Sequence, residues 1–164
     1  MKPNVLLVAP RTNLLSVDAE VQAILRSGLD VTPMLGTVEH DDLVSEMQTP
    51  KRVLWLCTHG SKEGVLLSDG ILEASLLTSL VRDTFDLVVL NTCDSINTAQ
   101  MLQNETGAEI VATITETPDR EAFQTGAIFA RALAQTNGDS EAAYYRAKPG
   151  GNRTYVRLAG KKKL

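Results

Sequence analysis

Four runs of nearly uninterrupted apolar residues constrain this chain more than anything else in it: Val5–Ala9, Val53–Leu56, Leu87–Leu90 and Glu109–Ile114. A strand wetted on one face alternates apolar and polar residues, whereas a strand covered on both faces reads as a continuous apolar run. Helix-like stretches separate the runs, as the crossovers of a parallel sheet require. The expected fold is therefore α/β, with a mostly parallel sheet and helices on both faces.

The intervening segments fit that scheme. Val17, Val21, Ile24 and Leu25 share one helical face, Ser16 stands where an N-cap belongs, and Gly28 is a stop. Asp18 and Glu20 then sit in the first turns, where the helix dipole favours acids. A strand over Asp30–Leu35 and a short helix over His40–Met47 follow. Gly64–Leu72 reads as a small hairpin turning on Asp69-Gly70. Helices are expected near Ser75–Arg82, Ser95–Asn104, Thr117–Asn137 and Ser140–Lys148, with a last strand over Thr154–Leu158. Thr117-Pro118 is a cap followed by proline at the first helical position. No linker or repeat interrupts the series, so residues 1–160 are expected to form one domain and 161–164 a flexible basic tail.

Composition narrows the function classes. The 164 residues are 43% hydrophobic and 22% charged, ordinary globular usage that disfavours disorder. A formal net charge of −4 argues against a general nucleic-acid binder, and Lys161-Lys162-Lys163 reads as a solubilising terminus. The first apolar run is too short for a secretory h-region with its cleavage site, and no stretch reaches membrane-spanning length, so a cytoplasmic protein without membrane contact is expected. The two cysteines and two histidines are too few for a typical zinc site. No glycine-rich phosphate loop follows any strand, which speaks against a nucleotide or flavin binder. No cofactor and no metal are expected.

The chemistry lies in two segments that follow strands, Cys57-Thr58-His59-Gly60 and Asn91-Thr92-Cys93-Asp94-Ser95. If their strands are parallel neighbours, both segments end at the carboxyl edge, where open α/β sheets place their sites. A thiol beside an imidazole is an activated nucleophile. Cys93 stands past the end of a strand and before a helix whose N-terminal dipole lowers a thiol pKa, while Asp94 opposes that shift. Gly60 lets the backbone approach a ligand closely, and its N–H is placed to donate to an oxyanion. Cys57 lies inside its strand and reads as core, as does Trp55. Asp94, Glu116 and Asp119 either line an acidic pocket or serve as cap and dipole residues. Arg11 either binds an acidic substrate group or is solvated, and His40 reads as a helix-start residue at the surface.

Taken in order, Val53–Gly60, Gly64–Gly70, Leu87–Ser95 and Glu109–Thr113 resemble the CHAT domain, a family of caspase-like cysteine peptidases related to caspases, metacaspases and separase. The similarity runs from about residue 4 to residue 148, and the N-terminal half is similar to CHAT variants of bacterial effector proteins. The resemblance implies a three-layer caspase-like sandwich with a sheet of about six strands. It implies a cysteine endopeptidase with Cys93 as nucleophile, His59 as general acid and base, and the N–H groups of Gly60 and Cys93 as oxyanion hole. Arg11 and Asn91 would contribute to the substrate pocket. It further implies a protein or peptide substrate and a bacterial or phage defence or cell-death role, with control either supplied by a separate sensor or activator protein or absent. Where many CHAT sequences carry a small residue and glycine around the nucleophile, this chain has Asn91-Thr92-Cys93-Asp94-Ser95, so specificity does not carry over. The alternative is a catalytically silent caspase-like module that binds proteins.

Overall fold

A computed structural model of the chain describes residues 3–12, 17–49, 51–92, 95–113, 119–147 and 155–160. The apolar runs become the middle of one six-stranded sheet in the order β2-β1-β3-β6-β7-β8. Its strands are β1 (Asn4–Pro10), β2 (Asp30–Gly36), β3 (Val53–Cys57), β6 (Leu87–Asn91), β7 (Glu109–Thr113) and β8 (Tyr155–Leu158), and a separate two-stranded hairpin pairs β4 (Gly64–Leu67) with β5 (Gly70–Glu73). Every pairing within the large sheet is parallel except β7 with β8. Strands β3 and β6 are buried at every residue, because they lie at the centre of a sheet covered on both sides.

Two apolar cores divide the strand residues by parity, as alternating side chains demand. One holds Val5, Leu7, Val53, Trp55, Cys57, Val89 and Val111 against α1 (Val17–Leu25), α5 (Asp119–Gln135) and α6 (Ser140–Ala147). Trp55 packs there on Phe129 with ring centroids 5.6 Å apart. The other holds Leu6, Val8, Leu54, Leu56, Val88, Leu90 and Ile110 against α2 (His40–Glu46), the hairpin, α3 (Ala74–Val81) and α4 (Ile96–Thr106). The result is helices, sheet, helices, which is the expected three-layer α/β sandwich. Edge strand β2 carries Pro33, whose missing N–H weakens pairing with further strands. At the amino edge the Arg157 guanidinium pairs with Glu109, and Ser140 Oγ donates to the same carboxylate, fastening β8 and α6 to β7.

Most expected elements appear within a residue or two. The hairpin differs: Leu67 pairs with Gly70, so Ser68 and Asp69 form the two-residue turn and Gly70 opens β5. Aspartate followed by glycine suggested a turn one residue later, but Ser68 is drawn back to Val38, its N–H donating to Val38 O and its Oγ accepting from Val38 N, each at 2.8 Å. The caps expected at Ser16 and at Thr117-Pro118, and the tail 161–164, lie outside the described residues.

Gly64 starts the hairpin, opposite Glu73. Its φ is +156°, and a Cβ there would come within 2.0 Å of Leu72 O, a contact that only backbone movement relieves. Gly64→Ala should therefore cost about 1–3 kcal/mol, the usual range for forcing an extra carbon into a packed position. Chemical denaturation of the two proteins measures it, and equal midpoints would show that the hairpin yields freely.

Candidate functional site

The strands that precede the two segments singled out from sequence end at the same sheet edge. Strands β3 and β6 are parallel neighbours, and their last in-register pair is Cys57 with Asn91. His59 lies two residues beyond Cys57 in the chain, and Cys93 lies two residues beyond Asn91. Adjacent strands run about 4.8 Å apart, so the last paired residues of β3 and β6 lie side by side at the carboxyl edge. Cys93 and Asp94 themselves lie outside the described residues, as does Glu116. Asp119 is the first residue of α5.

His59 and Gly60 are half-buried and are held from behind by β4. Leu66 N–H donates to His59 O at 2.9 Å, Ser61 N–H donates to Gly64 O at 2.9 Å, and Thr58 Oγ1 donates to Leu66 O at 2.8 Å. These bonds flank the antiparallel bridge between Gly60 and Val65, making it a non-hydrogen-bonded pair whose own N–H groups point outward. The Gly60 N–H is thus directed away from β4.

The hairpin is anchored in turn by α2. His40 Nδ1 lies 2.7 Å from Asp69 Oδ1, the His40 N–H donates to the same carboxylate at 3.2 Å, and Nε2 lies 3.3 Å from Ile71 O. His40 is a helix-start residue, as expected, and it also clamps the hairpin turn. The hydrogen bond from its side chain holds the Asp69 carboxyl below the usual aspartate value. Sequence spacing gave no hint of this partnership, since the two residues are 29 apart.

Asn91 is the last residue of β6 and only 8% exposed. Its Nδ2 donates to Glu20 Oε1 at 2.5 Å. Glu20, read from sequence as a dipole-stabilised acid, is 3% exposed and faces the sheet from α1. The signal was present: Glu20 stands three residues after Val17 and four before Ile24, on the stripe that the apolar residues mark as buried. Burial pushes the Cys57 thiol well above its usual value, the Glu20 charge adds to that, and the Trp55 indole pulls modestly the other way. Such a thiol is inert as a nucleophile, in keeping with Cys57 as core. Gly126 of α5 leaves the space this cluster occupies, because a Cβ there would lie 2.1 Å from Glu20 Oε1 and 3.0 Å from Asn91 Nδ2.

Arg11 is exposed just past β1, with its N–H donating to Gly36 O at 2.8 Å. It lines an open hollow of about 610 Å³ with Thr12, Asp18, Gln22 and Leu35, between the carboxyl ends of β1 and β2 and the start of α1. That volume suits a side chain or small ligand, and β1 is the neighbour of β3 on the side away from β6. Among the described residues no group of three or more His, Cys, Asp or Glu side chains is placed to hold a metal ion. None of their helices is long and apolar enough to cross a membrane.

Comparison with known proteins agrees with this architecture. The family model of the CHAT domain matches residues 9–117. Among solved structures, a secreted C11 cysteine protease from Bacteroides thetaiotaomicron, in complex with an irreversible peptide inhibitor, superposes with a TM-score of 0.60 at 10% identity. The superposition covers 90% of this chain and 58% of that protease, so the chain spans less than two thirds of the protease's length. The likeness is one of fold. A search of curated proteins finds no significant match.

The clamp behind His59 has a pH signature. A carboxyl lowered in the folded state contributes stability above its unfolded pKa and loses it as pH falls through the folded value. His40→Ala should therefore speed amide exchange at Leu66 at neutral pH, with the difference from wild type closing in acid once Asp69 is protonated. Identical Leu66 exchange in both proteins at neutral pH would show that the hairpin holds the His59 loop without the clamp.

Proposed function

The chain belongs to the CHAT domain family, and from that premise we propose that it is a cysteine endopeptidase whose nucleophile is Cys93 and whose general acid and base is His59. The observation that carries this reading is the β3–β6 register. With Cys57 level with Asn91 at the carboxyl edge, His59 and Cys93 each follow in the chain two residues after that rung. The mechanism follows from the chemistry of the pair. His59 takes the thiol proton and the Cys93 sulfur attacks the scissile carbonyl carbon. The N–H groups of Gly60 and Cys93 receive the developing oxyanion. Collapse of the tetrahedral intermediate expels the amine, which takes its proton from the imidazolium and leaves a thioester on Cys93. Water, deprotonated by His59, then hydrolyses the thioester and restores the free thiol.

The substrate is a protein or peptide. Arg11 borders the hollow beside β1 and is suited to an acidic group, whereas Asp94, Glu116 and Asp119 belong to segments that follow β6 and β7 and are suited to a basic one. A library of peptides varied at P1 separates the two preferences. Control is assigned to a separate sensor or activator protein.

Cleavage of a protein substrate by wild type, Cys93→Ala and His59→Ala tests the reading. Either substitution should lower turnover by at least about 10³-fold, because nucleophile and base act as a unit. An electrophilic thiol probe should label Cys93 in the folded protein and leave Cys57, fully buried, untouched. Undiminished cleavage by purified Cys93→Ala would remove the assignment.

A further inference from the structure

The β4–β5 hairpin departs from the rule that places the central strands. A strand wetted on one face alternates apolar with polar residues, and apolar side chains on both faces call for cover on both. Val65, Leu67 and Leu72 are buried in the core. Leu66 and Ile71 face each other across the ladder on the opposite, outer side, and they are 38% and 42% exposed. The outer face continues onto α2. His40 Nε2 lies 3.3 Å from Ile71 O, and Val44, one turn after His40 on the same helical stripe, is exposed.

This apolar surface is bordered by one sign of charge. Residues 38–48 and 61–74, which hold α2 and the hairpin, contain seven acidic residues and one lysine, a net of −6. The whole chain carries −4, so everything else sums to +2. Four of these acids, Asp41, Glu46, Glu63 and Glu73, take part in no ion pair among the described residues. Glu73 lies on the outer face of β5 itself, two residues after Ile71.

From this combination we infer that the outer face of the hairpin and α2 is a docking surface for a basic, amphipathic segment of a partner protein. Such a segment lays apolar side chains on Leu66 and Ile71 and sets lysines or arginines against the flanking acids. Charge argues against the other occupants. Nucleic acid and anionic membranes are repelled by this face, and a second copy presenting the same face would set acid against acid.

The surface gives a location to the separate protein to which control is assigned, and in that respect it rests on the reading of His59 as general acid and base. Leu66 is the link, because its N–H donates to His59 O and its carbonyl accepts from Thr58 Oγ1. A partner seated on the Leu66 side chain grips the strand that backs His59. A two-stranded hairpin is marginal by itself, and covering its second face opposes its opening.

The experiment titrates methyl-labelled protein with a synthetic amphipathic helix of leucine and lysine, and follows the methyl resonances of Val44, Leu66 and Ile71. One control peptide carries glutamate in place of lysine. Another holds the same leucines and lysines in shuffled order, so that no apolar face forms. Only the first should bind at about 0.15 M salt, with shifts centred on these three residues and slower amide exchange at Leu66. Leu66→Thr and Ile71→Thr should each weaken binding roughly tenfold, the scale of one or two methylenes returned to water. Glu63→Lys combined with Glu73→Lys should weaken it and reduce its salt dependence. Leu25→Thr and Ile128→Thr, at exposed apolar positions on α1 and α5, should leave it unchanged. Mapping on the wild-type protein keeps the test independent of how any variant folds.

No binding of the first peptide, equal binding of either control, or shifts that map elsewhere overturn the docking surface. Self-association of the free protein that Leu66→Thr abolishes also overturns it, because the face then belongs to a second copy. A Cys93 no faster than a free cysteine towards an electrophile removes the catalytic reading and leaves the docking surface standing, so the two fail separately.

Discussion

The parallel pairing of β3 with β6 is the constraint on which the site depends. Both strands are apolar at nearly every position, so they must occupy the middle of the sheet, and a one-residue slip would exchange the two cores. Trp55 would then leave Phe129 and the α5 layer for the face lined by α3 and α4. Burial on both faces therefore locks the register, and the register sets Cys57 level with Asn91. The proposed dyad takes its strand register from hydrophobic packing several residues away.

What packing leaves undetermined is the path of the chain after the strands end. Two polar devices govern it. On one side of the sheet the β4–β5 hairpin bonds to the backbone of His59, and its turn is held by His40 and Asp69. On the other side Glu20 accepts a hydrogen bond from Asn91 Nδ2 at the end of β6. The first is exposed at the clamp, where hydrogen bonds compete with water and contribute modestly. The second is buried, where an unmet polar group costs several times more than a satisfied one gains. The buried device is accordingly the stiffer of the two.

The sequence made the fold legible because the strongest signal, continuous apolar strands, is also the strongest physical term. Val53–Leu56 and Leu87–Leu90 require cover on both faces whatever their neighbours do, and Gly107, at φ +72°, ends α4 in the left-handed conformation that glycine adopts without strain. His59 and Gly60 were singled out as candidates by their place after a strand. The polar contacts were harder to read because each joins residues distant in sequence. Glu20 and Asn91 are 71 residues apart, and His40 and Asp69 are 29 apart. Helix-dipole reasoning explained Glu20 acceptably by itself and so masked the more telling fact that it stood on the buried stripe. Likewise the Ser68 turn follows from bonds to Val38, which no local turn preference encodes.

Two buried glutamates illustrate how similar burial serves different ends. Glu109, at the amino edge of β7, is 8% exposed and is answered by the Arg157 guanidinium and the Ser140 hydroxyl. Burial raises its carboxyl pKa and Arg157 offsets part of that rise, a balance characteristic of an ion pair that joins elements without adding much net stability. Glu20 is more deeply buried, at the carboxyl edge of the sheet, and it accepts from the Asn91 amide of the terminal rung. An apolar residue of the same size would satisfy the α1 stripe at lower desolvation cost, yet it would leave the Asn91 amide without this acceptor. Departures from local pattern that carry such a cost concentrate where function demands geometry. Glu20 is the departure that α1 makes, and it falls beneath the one rung of the sheet from which both site segments depart.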